Sequence, residues 1–434
     1  MADRDAPSNP NLGSSDRRLW LVNQYAITAD DPGITRHAML ADQLRLSGWR
    51  TTIFASRTHY WNLASKNDSA PVEGLPEATY VRIPTAGSVT NGIRRVGSMI
   101  SFSAKIFRVA SRRLAQERPD ALLGSSPHLF AAVAALALAR RARVPFVLEV
   151  RDVWPESLVQ LMGLSRRNPL IVAMSLMEKF LYRRADLIIS VLPGLGPHVE
   201  RVAGRVRARV VHIPNGVVFD HERGSAPSTA RTAQPFTIMY AGAHGVPNCL
   251  DDLLAAAEIV QRNEATVPEG ERTRFVLVGD GKEKQSLVEQ AHLLQLTNVS
   301  FVGPMPKSEL IERLKGADAF VLLWRDTPLY RLGVSPNKLF DYFAAAKPVI
   351  MGLNGPHDPV REAGAGLSVP AESPEDVAAA VHELRAMTES ERAVMGQAGL
   401  AFLEENHDVA LLARRYASAL DAVVDAVDES LTTR

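Results

Sequence analysis

Short apolar runs alternate with longer segments of helical periodicity along most of the chain. Apolar, β-branched runs bounded by turn residues are typical of buried strands, and helical patterns between them favour parallel sheets. The first half predicts seven strands, at residues 19–27, 51–56, 80–84, 121–126, 146–151, 187–192 and 210–213. The second half predicts six more, at residues 236–240, 275–278, 299–302, 319–323, 349–353 and 367–369.

The stretch 221–235, HERGSAPSTARTAQP, interrupts this alternation with small and polar residues, as linkers do. We therefore predict an α/β protein in which two Rossmann-like domains, residues 19–220 and 236–407, face one another across a cleft. Residues 1–18 are polar and are predicted to form a disordered tail. Residues 408–434 are predicted to contain a final helix with no strand after it.

The composition limits the class of protein. The 434 residues are 46% hydrophobic and 22% charged, which excludes collagen-like and mostly disordered chains. The single cysteine, Cys249, excludes a disulfide framework and a cysteine-cluster metal site. The purely apolar runs are far shorter than the roughly 18 to 20 residues that a membrane span needs, and residues 1–18 lack the apolar core of a signal peptide. We expect a cytoplasmic protein.

The net charge of +1 conceals two oppositely charged halves. Residues 19–220 carry a net charge of +11, and residues 221–434 one of −10. The densest basic stretch, residues 94–118, mixes cations with apolar residues and predicts an amphipathic helix that contacts an acceptor or an anionic membrane surface. A solvated helix face over a core is the alternative. The candidate face consists of Arg94, Arg95, Lys105, Arg108, Arg112 and Arg113.

Doubly wound sheets bind ligands at the carboxyl ends of their strands, so the turns after those strands are the candidate sites. Gly33 precedes a helix after the first strand, where backbone N–H groups could meet a phosphate. After the fifth strand, the run 149–156 (EVRDVWPE) places Arg151 and Asp152 at a strand end, where buried ion pairing is the weaker alternative.

The second domain offers two further turns of this kind. Residues 240–248 (YAGAHGVPN), with Gly242 and Gly245, could cradle phosphate. Residues 335–342 (SPNKLFDY) predict a helix with Ser335 as N-cap, an anion-binding end that includes Asn337, a mobile cation and a carboxylate suited to ribose hydroxyls. The cation is Lys338 and the carboxylate is Asp341, and an ordinary Lys–Asp surface pair is the alternative.

Other functional classes have weak support. The sequence Gly194-Leu195-Gly196 contains only the first two glycines of the dinucleotide-binding fingerprint. The P-loop pattern and the H-E-x-x-H pattern are absent from the sequence. Basic charge without a module signature or interleaved aromatic residues does not support nucleic-acid binding.

Together these motifs resemble the retaining glycosyltransferases of family 4, which have the two-Rossmann GT-B fold. The resemblance covers nearly the whole chain after the tail. It rests on EVRDVWPE (149–156), IPNGV (213–217) and VGDG (278–281), and the first of these is most similar to the fucosamine-type transferases of surface-polysaccharide assembly. It implies that the second domain binds a nucleotide-sugar donor, that the first binds the acceptor, and that the last helix crosses back onto the first domain.

The resemblance also implies roles for single residues. Asp341 matches the second acid of the family's E-x7-E element and is expected to bind the ribose, whereas Gly333 occupies the place of the first acid. The usual Arg and Lys pair that neutralises the diphosphate is missing from residues 242–248, so Lys338 is the expected replacement, with Arg325 and Arg331 next. Arg151 occupies the place of a histidine beside the donor sugar, and Gly33 matches a glycine loop that approaches the diphosphate.

The implied reaction is retaining transfer from a nucleotide sugar, with UDP favoured, onto a lipid-linked saccharide or small glycan in cell-envelope synthesis. The leaving diphosphate would take the acceptor's proton, and Arg151, Asp152 and Lys338 are the expected catalytic residues. No cofactor or metal is expected, because the sequence has no D-x-D element at a strand end and its cations can replace Mg²⁺. The alternatives are an isomerase resembling UDP-N-acetylglucosamine 2-epimerase and a non-catalytic nucleotide-sugar-binding module.

Overall fold

The computed structural model describes residues 16–28, 35–57, 79–85, 93–219 and 235–432. Within these residues all thirteen predicted strands are present, in two parallel sheets. Gly33, the linker residues 221–234 and nearly all of the predicted tail lie outside the described residues, as does the side chain of Arg94. The predicted α/β architecture of two Rossmann-like domains is confirmed.

The first sheet has seven parallel strands in the order β3-β2-β1-β4-β5-β6-β7. The chain order reverses between β1 and β4, which is where doubly wound sheets open a ligand crevice. The strands are β1 (Arg17–Val22), β2 (Trp49–Ser56), β3 (Thr79–Ile83), β4 (Ala121–Ser125), β5 (Phe146–Val150), β6 (Leu187–Ser190) and β7 (Arg209–His212).

The second sheet repeats this plan with six parallel strands in the order β10-β9-β8-β11-β12-β13. Its reversal lies between β8 and β11. The strands are β8 (Thr237–Ala241), β9 (Arg274–Val278), β10 (Val299–Val302), β11 (Ala319–Leu323), β12 (Val349–Gly352) and β13 (Gly366–Val369).

Helices cover both faces of the first sheet. One face packs against α2 (Ile93–Arg113), α3 (Leu129–Ala142), α5 (Pro169–Arg184) and α6 (Leu195–Ala203). The other face packs against α1 (Arg36–Arg45) and the last helix, α14 (Val409–Thr432). The short α4 (Glu156–Met162) lies between β5 and α5.

The second domain contains α7 to α13 and three short 3-10 turns. Its helices are α7 (Leu250–Asn263), α8 (Lys284–Leu293), α9 (Lys307–Leu314), α10 (Asn337–Ala344), α11 (Pro359–Ala363), α12 (Pro374–Ala386) and α13 (Glu389–His407). The 3-10 turns are Val246–Asn248, Glu269–Glu271 and Pro328–Leu332.

Helix α14 belongs to the first domain in space, as predicted. Its apolar side packs against α1 and the first sheet, and Leu420 is fully buried there. Asp421 accepts hydrogen bonds from Arg17 (2.6 Å) and from the indole of Trp49 (3.1 Å). Pairing with β2 places Arg17 and Arg18 in β1, whereas the sequence interpretation assigned them to the tail.

The chain crosses between the domains twice, and the two crossings are hydrogen-bonded to each other. The Val217 N–H donates to the carbonyl of His407, and the Val409 N–H donates to the carbonyl of Val217, each at 2.9 Å. The domains also meet where the Gly194 N–H donates to the Leu332 carbonyl at 2.8 Å. Gly194, the first glycine of the weak dinucleotide fingerprint, therefore stands at a domain contact.

Candidate functional site

The loops after β8 and β9 meet at the carboxyl edge of the second sheet. The Gly242 N–H donates to the carbonyl of Val278 at 2.9 Å. Gly279 has a φ of +138°, and a β-carbon there would lie 2.0 Å from the carbonyl oxygen of Gly242. Only glycine permits this contact, which brings the predicted phosphate loop against the VGDG segment.

Lys338 lies against this pair of loops. A β-carbon on Gly242 would lie 2.4 Å from Lys338 Cε. The ammonium donates hydrogen bonds to the hydroxyl of Tyr240 (2.7 Å) and to Oδ1 of Asn248 (2.5 Å). The sequence interpretation of Lys338 as a mobile cation was therefore wrong, because two fixed oxygens hold it in place.

The charge of Lys338 has no carboxylate partner among the described residues. Burial lowers the pKa of Lys338 to about 7. A desolvated ammonium without a counter-charge is costly, and such groups concentrate where an anion binds. Lys338 is therefore the strongest candidate in the second domain for contact with a diphosphate.

His244 lies in the same loop and was not singled out from the sequence. Its side chain is fully buried, and neither ring nitrogen has a hydrogen-bond partner in the part of the chain that the structure describes. Its ring stands near those of Tyr240 and Phe301. A neutral imidazole can donate one hydrogen bond and accept another, so this position can contribute both to a bound ligand.

Helix α10 carries Lys338 and Asp341 but begins differently from the prediction. Pro336 has extended backbone, and the helix starts at Asn337. The Ser335 hydroxyl accepts from the Asn215 N–H at 3.3 Å, and its carbonyl accepts from the Asn215 side chain at 3.1 Å. Ser335 is therefore not the N-cap, because its polar groups are used in a contact between the domains.

The other predicted donor-binding residues differ in their environment. Asp341 forms an ion pair with Lys307, whose ammonium lies 2.5 Å from Oδ1, and not with Lys338 as the alternative interpretation had it. A β-carbon on Gly245 would make an ordinary contact, at 3.8 Å, with Cδ of Pro247. Arg325 is paired with Asp251 at 2.7 Å and also contacts two further acids, Asp252 and Glu372. Arg325 would therefore have to leave these carboxylates to contact a diphosphate, which makes it a weaker candidate than Lys338.

Gly333 has a structural reason to lack the side chain expected of the family. Its φ of +99° is one that other residues rarely adopt. A β-carbon there would also lie 2.6 Å from Cδ of Pro193, which belongs to the first domain. The position is therefore a tight contact between the domains and has no room for a carboxylate.

The EVRDVWPE run divides into three environments. Glu156 accepts hydrogen bonds from Arg166 and Gln160 at the surface, and Glu149 is fully buried. The backbone N–H of Arg151 and the more distant N–H of Asp152 donate to the Ser126 hydroxyl, at 2.9 and 3.4 Å. Partial desolvation at the end of β5 lowers the pKa of Arg151 and raises that of Asp152, although the Asp152 side chain reaches solvent.

A buried polar network around Glu149 was missed by the sequence interpretation, which gave buried ion pairing too little weight. Glu149 Oε1 accepts from Arg36 Nε at 3.0 Å, and Oε2 accepts from the Ser125 hydroxyl and from His37 Nε2, both at 2.7 Å. Burial alone would raise the pKa of Glu149, but the neighbouring His37 and Arg36 hold it well below its usual range. The Tyr416 hydroxyl, on α14, also donates to Glu149 Oε1, at 3.4 Å.

The tautomer of His37 follows from its partners. The Asn23 amide nitrogen lies 3.0 Å from Nδ1, while the Asn23 oxygen accepts from the Tyr25 N–H and so fixes the amide orientation. Nδ1 is therefore an acceptor and Nε2–H is the donor to Glu149. Burial lowers the pKa of His37, in agreement with a neutral ring.

Arg36 links this network to the IPNGV segment. Its guanidinium donates to the Ile213 carbonyl at 2.9 Å and to the carbonyl of Pro214. Asn215 of the same segment holds Ser335. The segment therefore connects the core of the first domain to the start of α10.

Two buried polar atoms without partners lie near the reversal point of the first sheet. His128 Nδ1 accepts from the Ala131 N–H at 3.2 Å, which leaves Nε2–H as a donor with no partner in the described residues. Burial lowers the pKa of His128 to about 3, so its ring is neutral. Gln24 donates to Ser98 on α2 but leaves Oε1 unpartnered within the same described ranges.

These atoms share one neighbourhood. Phe102 lies one turn beyond Ser98 on α2, and its ring centroid is 6.2 Å from that of His128. Tyr25, which follows Gln24, lies 5.8 Å from His128 between ring centroids. The loops after β1 and β4 thus bring one open donor and one open acceptor to the predicted crevice.

The predicted basic helix corresponds to α2, and its cations have varied surroundings. Arg108 and Arg112 are exposed, whereas Arg113 pairs with Glu117 and Lys105 donates to the carbonyl of Pro84. Arg95 stands 5.8 Å from the ring centroid of Tyr25. The buried side of α2 forms part of the core, as the alternative interpretation expected.

Comparisons with known proteins agree with this architecture. Residues 33–216 match the glycosyl transferase 4-like domain, and residues 226–386 match the glycosyl transferases group 1 domain. The chain belongs to the GT-B glycosyltransferases. The first matched segment contains β2 to β7, and the second contains β8 to β13.

Similar proteins have related descriptions. This glycosyltransferase is 23% identical over 328 residues to a probable glycosyltransferase, WbjE, of Pseudomonas aeruginosa, covering 74% of the present chain and 78% of the relative. The sucrose-phosphate synthase of Thermosynechococcus elongatus has a TM-score of 0.74 at 17% identity, over 94% of this chain and all of the other. The Anabaena protein HepE, in complex with UDP and glucose, has a TM-score of 0.64 at 15% identity over the same shares.

Two kinds of feature are missing from the described residues of this glycosyltransferase. Among them, no helix is both long and apolar enough to cross a bilayer. The same residues contain no cluster of three or more histidine, cysteine or acidic side chains arranged to hold a metal ion.

Proposed function

We propose that this glycosyltransferase moves a hexosyl or N-acetylhexosaminyl group from a UDP-sugar to a lipid-linked or small glycan acceptor, with retention of configuration. The observation that carries the proposal is Lys338. Its ammonium is held beside the loops of Gly242 and Gly279 by two neutral oxygens, with no described carboxylate as partner. A diphosphate would supply the missing negative charge.

The donor would span the carboxyl edge of the second sheet. Lys338 would contact the diphosphate, together with the backbone of Gly242 and Gly245 and the start of α10 at Asn337. Asp341 would exchange its bond to Lys307 for the ribose hydroxyls, which need a carboxylate acceptor. Solved neighbours of the same fold that hold UDP, UDP-glucose or UDP-2-fluoroglucose support the choice of UDP.

The acceptor would bind in the first domain at the reversal point of its sheet. His128 Nε2–H would donate to a hydroxyl of the acceptor and Gln24 Oε1 would accept from it, which satisfies both open hydrogen-bonding positions. Arg151 and Asp152 stand at the end of β5, on the same edge. The acceptor would therefore meet the donor sugar between His128 and Lys338.

The catalytic demand is stabilisation of the departing diphosphate. In a retaining transfer on one face of the sugar, that diphosphate accepts the proton of the attacking hydroxyl, and the protein needs no separate base. Lys338 and the peptide N–H groups would act as fixed charge and dipoles at the leaving group, which is the most effective form of electrostatic catalysis. We propose that no metal takes part.

The cellular role that fits best is assembly of a cell-envelope polysaccharide, in the fucosamine-type subgroup, at the cytoplasmic side of the membrane. The similarity of EVRDVWPE to that subgroup supports this assignment. The exposed Arg108 and Arg112 on α2 are suited to an anionic membrane surface that carries the acceptor.

The decisive experiment measures donor binding and turnover separately. A thermal-shift screen across UDP-, GDP- and dTDP-sugars identifies the donor, because a ligand of the native state raises the unfolding temperature. UDP release is then measured with and without a polyprenyl-diphosphate-linked monosaccharide. Release that depends on the acceptor supports transfer, conversion of the UDP-sugar alone would indicate an isomerase, and binding without either reaction would indicate a non-catalytic module.

A further inference from the structure

Helix α5 exposes an unusual number of large apolar side chains. Val172, Leu176 and Phe180 are 44%, 64% and 41% exposed, and they follow one another at intervals of four residues. We call these three residues the α5 stripe. Met162 and Leu170, at the end of α4 and the start of α5, are exposed as well. Single exposed apolar residues are ordinary, but a contiguous row marks an interaction surface.

The α5 stripe does not contribute to the core. The side of α5 that packs inward contains Ile171, Glu178 and Tyr182, all of which are buried. At 100° per residue, the stripe lies on the opposite side of the helix. The stripe therefore remains exposed to solvent when the first domain is folded.

The surroundings of the stripe are basic. Arg183 and Arg184 are exposed at the end of α5, and the Arg184 guanidinium lies 5.7 Å from the ring centroid of Phe180. The only acid in the sequence of α5, Glu178, is buried and hydrogen-bonded to Tyr182 and His198. An apolar row bordered by arginines is complementary to a surface with negative charge outside and hydrocarbon beneath.

The neighbouring helices extend this charge. Helix α3 packs against both α2 and α5, so all three helices lie in one layer of the first domain. Residues 129–144 contain no acid, and Arg140, Arg141 and Arg143 at their end are exposed. With Arg108 and Arg112 on α2, the layer presents exposed cations on both sides of α3.

We propose that the α5 stripe inserts into the surface of an anionic phospholipid leaflet while the arginines of this layer contact the headgroups. The proposal deepens the proposed function and rests on it, since it supplies the surface that would deliver a lipid-linked acceptor. It also extends the apolar contact surface from α2 to α5. Phe102 and Ile106 of α2 are buried in the core, whereas Ile100 and Phe107 of the same helix are exposed and can contact the leaflet beside the α5 stripe.

The topology gives the docked domain an orientation. Helix α5 follows the carboxyl end of β5 and leads into the start of β6, so its first turn lies at the edge that carries Arg151 and Asp152. The first turn of α5 is therefore the end of the stripe nearest to the predicted acceptor site, whereas Arg183 and Arg184 border its far end. The acidic second domain would face away from the anionic leaflet.

The test is co-sedimentation of the full chain with vesicles of phosphatidylcholine and phosphatidylglycerol in equal parts, and with vesicles of phosphatidylcholine alone. The variant Leu176→Asn with Phe180→Asn removes the stripe without changing the charge. The matched control is Leu293→Asn with Val394→Asn, two residues of the second domain that are 80% and 69% exposed. Thermal unfolding and UDP calorimetry verify that both variants are folded.

We expect the wild type and the control to bind the anionic vesicles and the stripe variant to bind them roughly tenfold or more weakly. Equal binding by the stripe variant overturns the proposal, as does a wild type that sediments with neither vesicle at low salt. Analytical ultracentrifugation tests the other possible partner, a second copy of this chain. A wild type that dimerises, together with a stripe variant that stays monomeric, would assign the α5 stripe to a dimer interface. A wild type that binds UDP but no vesicles would refute the membrane surface alone. A wild type that binds no UDP would refute the proposed function.

Discussion

Lys338 Nζ stands 2.7 Å from the hydroxyl of Tyr240, so the cation of α10 is fixed against the end of β8 before any ligand arrives. This preorganisation gives the first prediction. Replacing Lys338 by Met should lower the rate of transfer on the order of a hundredfold, because one charge-assisted contact to the leaving group contributes roughly 2 to 4 kcal/mol to the barrier. Single-turnover kinetics measure it, with Lys315→Met as the control on an exposed surface ion pair. Unchanged turnover in Lys338→Met would remove Lys338 from the site.

Donor affinity should decrease as the pH rises above about 7. The pKa of Lys338 is about 7 in the free protein, and a bound diphosphate would raise it by favouring the ammonium form. Binding above that pH therefore takes up a proton, and the association constant should fall by up to about tenfold per pH unit, whereas below it the lysine is already charged. Calorimetry of UDP in buffers of different ionisation enthalpy measures the proton uptake. The Lys338→Met profile should be flat, and a flat wild-type profile would contradict the prediction.

Asp341→Asn should weaken UDP binding roughly tenfold, since a carboxylate that accepts from ribose hydroxyls contributes more than a neutral amide. Glu312→Gln is the control, because Glu312 is an exposed acid that pairs with Lys315. Calorimetry with UDP and with inorganic diphosphate separates the ribose from the phosphates. An equal loss for both ligands would show that Asp341 supports the structure of the site and does not contact the ribose, because removal of a negative charge cannot by itself weaken anion binding.

His128→Phe should raise the KM for the acceptor and leave the KM for the donor unchanged. The ring would keep its place among Tyr25 and Phe102 but lose the open Nε2–H. Because the variant also loses the hydrogen bond by which His128 caps α3, thermal unfolding should show a cost of about 1 kcal/mol. His292→Phe, on the exposed side of α8, is the control. A change confined to the donor KM would assign His128 to another role.

Gly333→Glu, which restores the family's acid, should destabilise the protein without improving transfer. The φ of +99° and the 2.6 Å approach to Pro193 leave no place for a side chain, so the cost should be about 2 kcal/mol or more. Thermal unfolding measures it against Gly270→Glu, where an added β-carbon meets nothing within 4 Å. A Gly333→Glu variant with wild-type stability would show that the domain contact yields easily.

The sequence predicted the strands well because each depends on local apolar pattern, and Val299–Val302 and Ala319–Leu323 agree to the residue. It failed where a side chain forms a hydrogen bond with a residue that is far away in the sequence. Arg36 and Glu149 are 113 positions apart, and Ser335 reaches across 120 positions to Asn215. No local pattern contains such pairs, although Arg36 and His37 lie just after the predicted glycine turn.

The same distinction explains the predictions for Lys338 and Gly333. Their places on the second domain followed from motif order, but their surroundings did not. Tyr240 and Asn248 hold Lys338 because the loop after β8 folds over α10, and Pro193 of the other domain leaves no room beside Gly333. Motif spacing can locate a residue on an element, whereas freedom of movement depends on what the rest of the chain packs against it.

The return of α14 to the first domain has a consequence for biosynthesis. The hydrophobic cluster that joins β1 and α1 to Leu412, Tyr416 and Leu420 takes its last members from the end of the chain. On the ribosome, nearly all of the first domain is therefore synthesised before the second. One side of its sheet stays uncovered until the second domain has been translated. Its completion must wait for the final helix, so a chain cut short by premature termination lacks the cover for its first domain as well as its own end.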